Sequence, residues 1–261
     1  METSFSSVGV FALLGLGLVF GLKHATEVDH VVAVSTIVSE HRNVLRSALV
    51  GGLWGAGHTA SLIIVGLLVL VFRVTIPLPV ANWLEFGVAL MIIALGVLAL
   101  ARVLRKRADV QLHRHRHRHS HDGQAHVHVH FHERGTEHAS AASPDSATSS
   151  HSHAIARLGF KPLLVGAMHG LAGSAALTLL VLTQIQSISL GLVYLGLFGI
   201  GSTVGMLLMS GLIGLPFALS GRRLTSINYG LQTAAGAISI AFGLWYAYET
   251  AIMNGLWRTI L

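Results

Sequence analysis

Six apolar runs, each long enough to cross a lipid bilayer, dominate this chain of 261 residues. A transmembrane helix needs about 20 such residues. Only 11% of the residues are charged, whereas a soluble domain carries about 25%. The sequence therefore predicts an all-α polytopic membrane protein with six transmembrane helices. The runs cover residues 8–38, 47–72, 83–104, 162–183, 188–219 and 229–251.

The basic residues are divided unequally between the two ends of these runs. Fourteen of the 17 Lys and Arg fall on one side: Arg42 and Arg46, ten from Arg102 to Lys161, and Arg222 with Arg223. The positive-inside rule makes that side cytoplasmic and places both termini outside a cytoplasmic (inner) membrane. Because the basic residues flank lipid-spanning runs, the net charge of +6 does not indicate a nucleic-acid partner. The first run lacks a basic n-region and a cleavage site, so no removable signal peptide is expected.

Histidine is concentrated in one polar segment. Residues 105–157 hold 12 of the 17 His, in the runs H-R-H-R-H-R-H-S-H and H-V-H-V-H-F-H. The segment has too little apolar content to form a core, so we expect a disordered cytoplasmic loop between domains 1–104 and 158–261. His-rich tracts bind late first-row metals loosely, and we expect this loop to capture metal. The candidate capture residues are His113, His115, His117, His119, His121, His126, His128, His130 and His132.

The two flanking domains resemble each other. Three ordered segments recur at offsets of 145, 144 and 147 residues. Each domain contains three spans, an odd number, so the second copy is expected to be inverted in the membrane. Inverted repeats are a transporter architecture, with the substrate site near the bilayer midplane; the alternative is chance recurrence of small residues. The matched segments are 21–25 with 166–170, 54–59 with 198–203, and Glu85 plus 94–96 with Gln232 plus 241–243.

The first run carries five ionisable residues in the eight from Lys23 to His30. Each costs about 2.5–3.5 kcal/mol at the bilayer centre, so these groups must line a cavity, pair, or bind an ion. A straight helix over 8–38 would be about 46 Å long, so a tilt, a break near the motif or a cytoplasmic overhang must absorb the excess. On an ideal helix His24, Asp29 and His30 cannot all hold one small ion. Either the helix is distorted there, which we favour, or Asp29 orients an imidazole.

Two further His lie inside apolar runs, His58 and His169, one in each domain. Neighbouring glycine and alanine residues allow close helix approach, so we expect them to converge with His24 and His30 on a metal ion. The alternative is a proton relay or a structural hydrogen-bond network. With no Cys and one carboxylate, late first-row divalent ions are favoured: Ni, Co, Zn or Cu(II). Candidates for orienting the ligands are Glu27, Thr59, Ser202 and Thr203.

His24 and Asp29-His30 give H-x4-D-H in an apolar span, followed by Gly57-His58-Thr59 in the next. This pattern resembles the nickel/cobalt transporter (NiCoT) family and covers about 50 residues. Full members have more spans and a later acidic element that this chain lacks, so it resembles a short relative, of the urease-accessory or nickel/cobalt-exporter type. The resemblance implies uptake or export of Ni²⁺ or Co²⁺, with His24, Asp29 and His30 handling the metal.

Two functional hypotheses follow. The first is a secondary transporter of Ni²⁺ or Co²⁺, with Zn²⁺ a further candidate; no G-x4-G-K-[ST] motif for ATP is present. Neutral imidazoles would bind the ion, so binding should weaken below about pH 6. The alternative is a non-transporting sensor or urease-accessory membrane protein acting through its His-rich loop. Neither requires enzymatic activity or a prosthetic group. The expected partners are the lipid bilayer, divalent metal ions and a cytoplasmic metal donor or acceptor protein, with no prediction of oligomeric state.

Overall fold

The computed structural model describes residues 7–73, 76–108, 110–118, 125–133, 152–172, 187–220 and 225–256. Most of these residues are helical. The helices are α1 (Ser7–His24), α2 (Val28–Val38), α3 (Val44–Phe72), α4 (Leu78–Ala108), α5 (Ser152–Leu171), α6 (Ile188–Leu219) and α7 (Thr225–Tyr248), with a π-helical turn at Glu249–Met253 and strands β1 (Val110–Arg118) and β2 (Ala125–Glu133).

The first apolar run is a broken helix. Helices α1 and α2 meet at an angle of 53° across the three residues Ala25 to Glu27. Tight turns close the end of α1, because Thr26 and Glu27 donate their amides to the carbonyls of Lys23 and His24. Glu27 then adopts an extended backbone before α2 begins. The excess length of the run is therefore absorbed by a break at the ionisable motif, as the spacing of its ligands favoured.

Three of the described helices are long and apolar enough to cross a membrane: α3, α6 and α4 over Leu78–Arg105. The bent pair of α1 and α2 makes a fourth span if it is counted as one. Helices α5 and α7 lie in the remaining two predicted spans. They do not meet the same criteria of length and hydropathy, and part of the α5 run falls in 173–186, outside the described residues. The chain is a helical membrane protein, and its six-span count remains a prediction.

Helix packing crosses between the two halves of the chain. Helix α3 packs along α6 and α5, and α1 packs along α6, so these four helices form one group drawn from both halves. Helices α4 and α7 form a second group, packed chiefly on each other. Helix α2 lies between the groups and contacts α4, α6 and α7.

Close helix crossings use equivalent residues in the two halves. Gly21 of α1 lies against the carbonyl of Phe198 on α6, so closely that a Cβ would collide with it. Gly166 of α5 lies in the same way against the carbonyl of Trp54 on α3. The two crossings are related by the offsets of 145 and 144 residues found in the sequence.

A second pair of crossings repeats the pattern in the opposite direction. Gly201 leaves no room for a Cβ against the Leu18 carbonyl, and Gly57 leaves none against the Leu163 carbonyl. The α1–α6 and α5–α3 interfaces are thus built from matching positions. The α4–α7 interface has matching contacts at the offset of 147: Gly96 with the Gly236 carbonyl, and Gly243 with the Ala89 carbonyl.

The structure of the His-rich segment differs from the expected disorder. Strands β1 and β2 pair antiparallel, with His113 opposite His130 and His115 opposite His128. Helix α5 also begins within the predicted loop, at Ser152. The strands follow from the sequence, in which His alternates with Arg in β1 and with Val or Phe in β2. A period of two residues, with β-branched and aromatic side chains, favours an extended strand. His119 and His121 lie outside the described residues.

Candidate metal centre

Four imidazole rings meet in the interior of the helix group. The centroid of the His24 ring lies 4.5 Å from that of His30 and 4.9 Å from that of His58. The His169 ring lies 4.1 Å from that of His30. Each of these residues is at most 3% exposed. The structure therefore brings together the four intramembrane rings that the sequence analysis selected.

The break between helices α1 and α2 and the close helix crossings at glycine position these rings. His24 ends α1 and His30 stands in the first turn of α2, so the break between them turns both side chains toward one point. Gly57 admits α5 beside α3, and Gly170 lies so close to the His58 carbonyl that a Cβ would collide with it. Larger side chains at these positions would hold His58 and His169 apart.

Asp29 joins two of the rings. Its Oδ1 accepts a hydrogen bond from His30 Nδ1 at 2.9 Å and another from the His30 backbone amide at 2.9 Å. Its Oδ2 accepts from His169 Nε2 at 2.8 Å. Because a carboxylate only accepts, these contacts fix the proton of His30 on Nδ1 and leave Nε2 as a lone pair. Asp29 thus orients imidazoles, one of the two roles considered for it.

Glu27 acts on His24 in the same way. Its Oε2 accepts from His24 Nδ1 at 3.1 Å, with the Glu27 side chain 39% exposed. The proton therefore sits on Nδ1, and Nε2 of His24 carries the lone pair. Carboxylates that hold a histidine by its other ring nitrogen are typical of metal sites, because they fix the tautomer and raise the basicity of the ligand. Glu27 thus contacts a ring of the cluster, and its role toward a bound metal stays a prediction.

The ring nitrogens have the spacing of ligands around one ion. His24 Nε2 and His58 Nε2 lie 3.0 Å apart, and two nitrogens bound about 2.0–2.1 Å from a metal are separated by about 2.9–3.3 Å. One potential ligand atom from each of His24, His30 and His58 lies within 4.8 Å of the others. The set Asp29, His30 and His169 meets the same limit, so two overlapping groups of three share His30.

Several buried nitrogens of the cluster have no hydrogen-bond partner among the described residues. They are His30 Nε2, His58 Nδ1 and His169 Nδ1. A buried polar atom without a partner costs about 1–3 kcal/mol. The cluster therefore has unused binding capacity in the interior, and this matches the chemistry of imidazole donors toward a late first-row cation.

Two aromatic side chains cover the cluster. Trp54 stacks on His30 with ring centroids 5.6 Å apart and planes inclined by 17°, and Phe198 lies 5.5 Å from the His24 ring. Both are buried. Neither residue was among those predicted to handle or orient the metal. The internal repeat could have identified them, because Trp54 and Phe198 occupy matching positions in the two halves. Trp54 lies four residues before His58, and Phe198 lies four residues before Ser202.

The other candidates for orienting ligands lie on α3 and α6. Thr59 donates to the Gly199 carbonyl at 3.0 Å, and its hydroxyl lies 3.0 Å from that of Thr203. Thr59 therefore faces α6, since residues adjacent on a helix point about 100° apart, and a role of Thr59 and Thr203 in orienting ligands stays a prediction. Ser202 is buried and its hydroxyl has no partner in the described part of the chain.

Comparison with known proteins places this arrangement in a family. The family model described as "NicO: High-affinity nickel-transport protein" matches residues 10–241. The chain belongs to the NicO family. The matched residues include the H-x4-D-H motif, the Gly-His-Thr element and His169, so the family assignment covers every ring of the cluster.

A curated relative extends the NicO assignment. The chain is 35% identical over 253 residues to the urease accessory protein UreH of Bacillus sp. (strain TB-90), and the match covers 96% of this chain and 97% of that protein. No solved structure matches the chain. Membership of a family of nickel-transport proteins, together with an accessory protein as relative, identifies this NicO protein as non-catalytic.

Proposed function

We propose that this NicO protein carries Ni²⁺ or Co²⁺ across the cytoplasmic membrane as a secondary transporter. The observation that carries the proposal is the buried cluster of four imidazoles and one carboxylate, whose potential ligand atoms lie within 4.8 Å of one another in two groups of three and which includes ring nitrogens without a partner among the described residues. Ionisable groups inside a membrane are expensive, and they persist where they serve an ion pathway. The family description names nickel transport, which supports the same substrate class.

The ion would be held first by Nε2 of His24, His30 and His58. Glu27 and Asp29 fix the protons of His24 and His30 on Nδ1, so Nε2 of each ring carries a lone pair. The His24 lone pair accepts from His58 Nε2, and the His58 proton would move to its unpartnered Nδ1 when the ion binds. His169 and Asp29 form the adjoining group and would supply further ligands. Imidazole favours Ni²⁺, Co²⁺ and Zn²⁺ over hard cations, and Zn²⁺ remains a candidate substrate on these grounds.

Transport would proceed by alternating access, and the helix packing indicates which parts would move. The matching contacts of α1 with α6 and of α5 with α3 support two equivalent halves, and three spans in each half would invert the second. Because the halves interpenetrate, they are not the parts that move. The two packed groups supply better candidates for movement: the α4–α7 pair would rock against α1, α3, α5 and α6, with α2 between them.

The His-rich segment would load or unload the transporter on the cytoplasmic side. The backbone register of β1 and β2 places His117 opposite His126, in addition to the two pairs described above. A row of paired histidines could pass Ni²⁺ to or from the interior site. Deleting residues 110–133 should lower transport at scarce metal and leave the interior affinity unchanged.

The decisive experiment is radiolabelled Ni²⁺ and Co²⁺ flux in proteoliposomes. We expect His24→Ala and His30→Ala to lower flux at least tenfold. The matched control is His138→Ala, which changes the same residue type outside both the cluster and the paired strands and should retain full flux. Equal flux in wild type and both cluster variants would refute the transport site.

A second function is favoured by the name of the relative UreH, a urease accessory protein. In that case the protein would supply or sense nickel for enzyme maturation through its His-rich segment, without moving ions. Deletion of residues 110–133 would then abolish metal-dependent function, whereas His24→Ala and Asp29→Asn would be harmless. If the protein is a transporter, His24→Ala and Asp29→Asn should impair function more than deletion of residues 110–133 does.

A further inference from the structure

The structure points to two aromatic gates that occlude the ion site from opposite sides of the membrane: Trp54 on the cytoplasmic side and Phe198 on the outer side. This inference rests on the proposed function, because it concerns the path to the cluster. It adds two residues that bind no metal and that nonetheless set the rate at which metal arrives and leaves.

Trp54 lies across the cytoplasmic approach to the rings. It stands one helical turn before His58 on α3, toward the N-terminal end of the helix, near which Arg42 and Arg46 lie. Its indole stacks on His30 and lies 5.6 Å from the His169 ring, so it covers two members of the cluster at once.

A cavity of about 260 Å³ lies on the predicted cytoplasmic side of Trp54, about one helical turn away along α3. Val50 and Val165 line it, and these residues stand one turn before Trp54 and His169 on their helices. Arg102 and Lys161, which belong to the basic side of the membrane, line it as well. The cavity is therefore a vestibule on the predicted cytoplasmic side, and Trp54 stands on α3 between its lining residue Val50 and the ring of His58.

Stacking contacts, rather than a hydrogen bond, hold the indole. Its Nε1 is buried without a partner among the described residues, although a buried indole N–H usually finds one. Beside the Nε1, Gly166 lies so close to the indole Cδ1 that a Cβ would collide with it. A ring seated by shape alone can change rotamer without breaking a polar contact, as a gate requires.

Phe198 stands in the equivalent position of the second half. Trp54 and Phe198 differ by 144 residues, and the rings that they cover, His24 and His169, differ by 145. The contact of Phe198 with His24 therefore repeats that of Trp54 with His169. In an inverted repeat, equivalent residues face opposite sides of the membrane, and this assigns Phe198 to the outer side.

A gate changes the rates of binding and release without changing the affinity. We expect Trp54→Ala and Phe198→Ala each to raise both the association and the dissociation rate of Ni²⁺ at least tenfold in detergent-solubilised protein. The Kd should stay within threefold of wild type. The measurement is stopped-flow mixing with Ni²⁺, and with a chromophoric chelator for release. Trp245→Ala, which removes an indole that is 55% exposed on α7, is the matched control and should bind as wild type does.

Sealed vesicles then test the two sides. In inside-out vesicles, external chelator should withdraw bound Ni²⁺ faster from Trp54→Ala than from wild type, and Phe198→Ala should behave as wild type does. Right-side-out vesicles should show the reverse. If Trp54→Ala does not fold, Trp54→Leu takes its place, since it keeps an apolar side chain and removes the stacked ring.

The outcomes separate the gates from the site. If Trp54→Ala and Phe198→Ala bind and release Ni²⁺ at wild-type rates while His24→Ala still weakens Ni²⁺ binding, the gates are refuted and the metal site stands. A Kd raised more than tenfold at an unchanged association rate would also overturn them, because Trp54 would then position a ligand. Absence of Ni²⁺ binding in the wild type would overturn the proposed function and the gates together.

Discussion

Replacing Asp29 with asparagine tests the bridge between two rings of the cluster. The carboxylate accepts from His30 at 2.9 Å and from His169 at 2.8 Å. An amide keeps one acceptor oxygen and replaces the other with a donor, so one of the two rings loses its partner. A hydrogen bond to a charged group contributes about 1.5–3 kcal/mol, and about 1.4 kcal/mol corresponds to a tenfold change in affinity.

We therefore expect Asp29→Asn to raise the Kd for Ni²⁺ about 10- to 100-fold, the range typical of residues that orient a metal ligand. Asp29→Ala removes both acceptors and should cost more. The assay is isothermal titration of detergent-solubilised protein with Ni²⁺. Glu249→Gln makes the same chemical change in the π-helical turn and should bind within threefold of wild type. A Kd for Asp29→Asn that is also within threefold would refute the claim that Asp29 fixes the two rings.

Three further variants test neighbouring parts of the structure. Glu27→Gln should raise the Kd for Ni²⁺ by about 3- to 10-fold, less than Asp29→Asn, because Glu27 holds a single ring at 3.1 Å and is partly exposed; an effect larger than that of Asp29→Asn would contradict the assigned roles. Gly57→Ala should destabilise the protein by about 1–3 kcal/mol through overpacking against α5, whereas Gly87→Ala, with open space around it, should unfold at or above the wild-type temperature; thermal unfolding in detergent separates the two. Asn43→Ala removes the side chain that accepts from two amides at the start of α3 and should cost about 0.5–2 kcal/mol in the same measurement, and an unchanged midpoint would show that this cap does not contribute.

The residues of the cluster could be chosen from the sequence because ionisable groups are rare in apolar runs. His24, His30, His58 and His169 are the only imidazoles that the hydrophobic runs contain, so their selection required no geometry. A distortion at the motif was favoured because on an ideal helix His24, Asp29 and His30 cannot all hold one small ion, whereas the excess length alone could equally be absorbed by a tilt or an overhang.

The arrangement within the cluster could not be predicted in the same way. That Asp29 bridges His30 and His169 depends on how α5 packs beside α2, and no local pattern encodes that contact. The direction in which the Thr59 side chain points depends on the rotation of α3 about its own axis. The sequence of α3 is nearly uniformly hydrophobic, so it does not define that rotation. The strands of the His-rich segment were missed because polar composition was weighed above the alternation of the residues.

The interleaving of the two halves has a consequence for biosynthesis. When residues 1–104 have been inserted, three of the four rings and both orienting carboxylates already exist, but Gly21 and Gly57 still lack the helices against which they pack. Those helices, α6 and α5, are synthesised only after the His-rich segment. A nascent or truncated chain therefore contains three of the ligand histidines without the helices that bury them. The capacity to sequester an ion would arise late, when translation has delivered α6 to the bilayer.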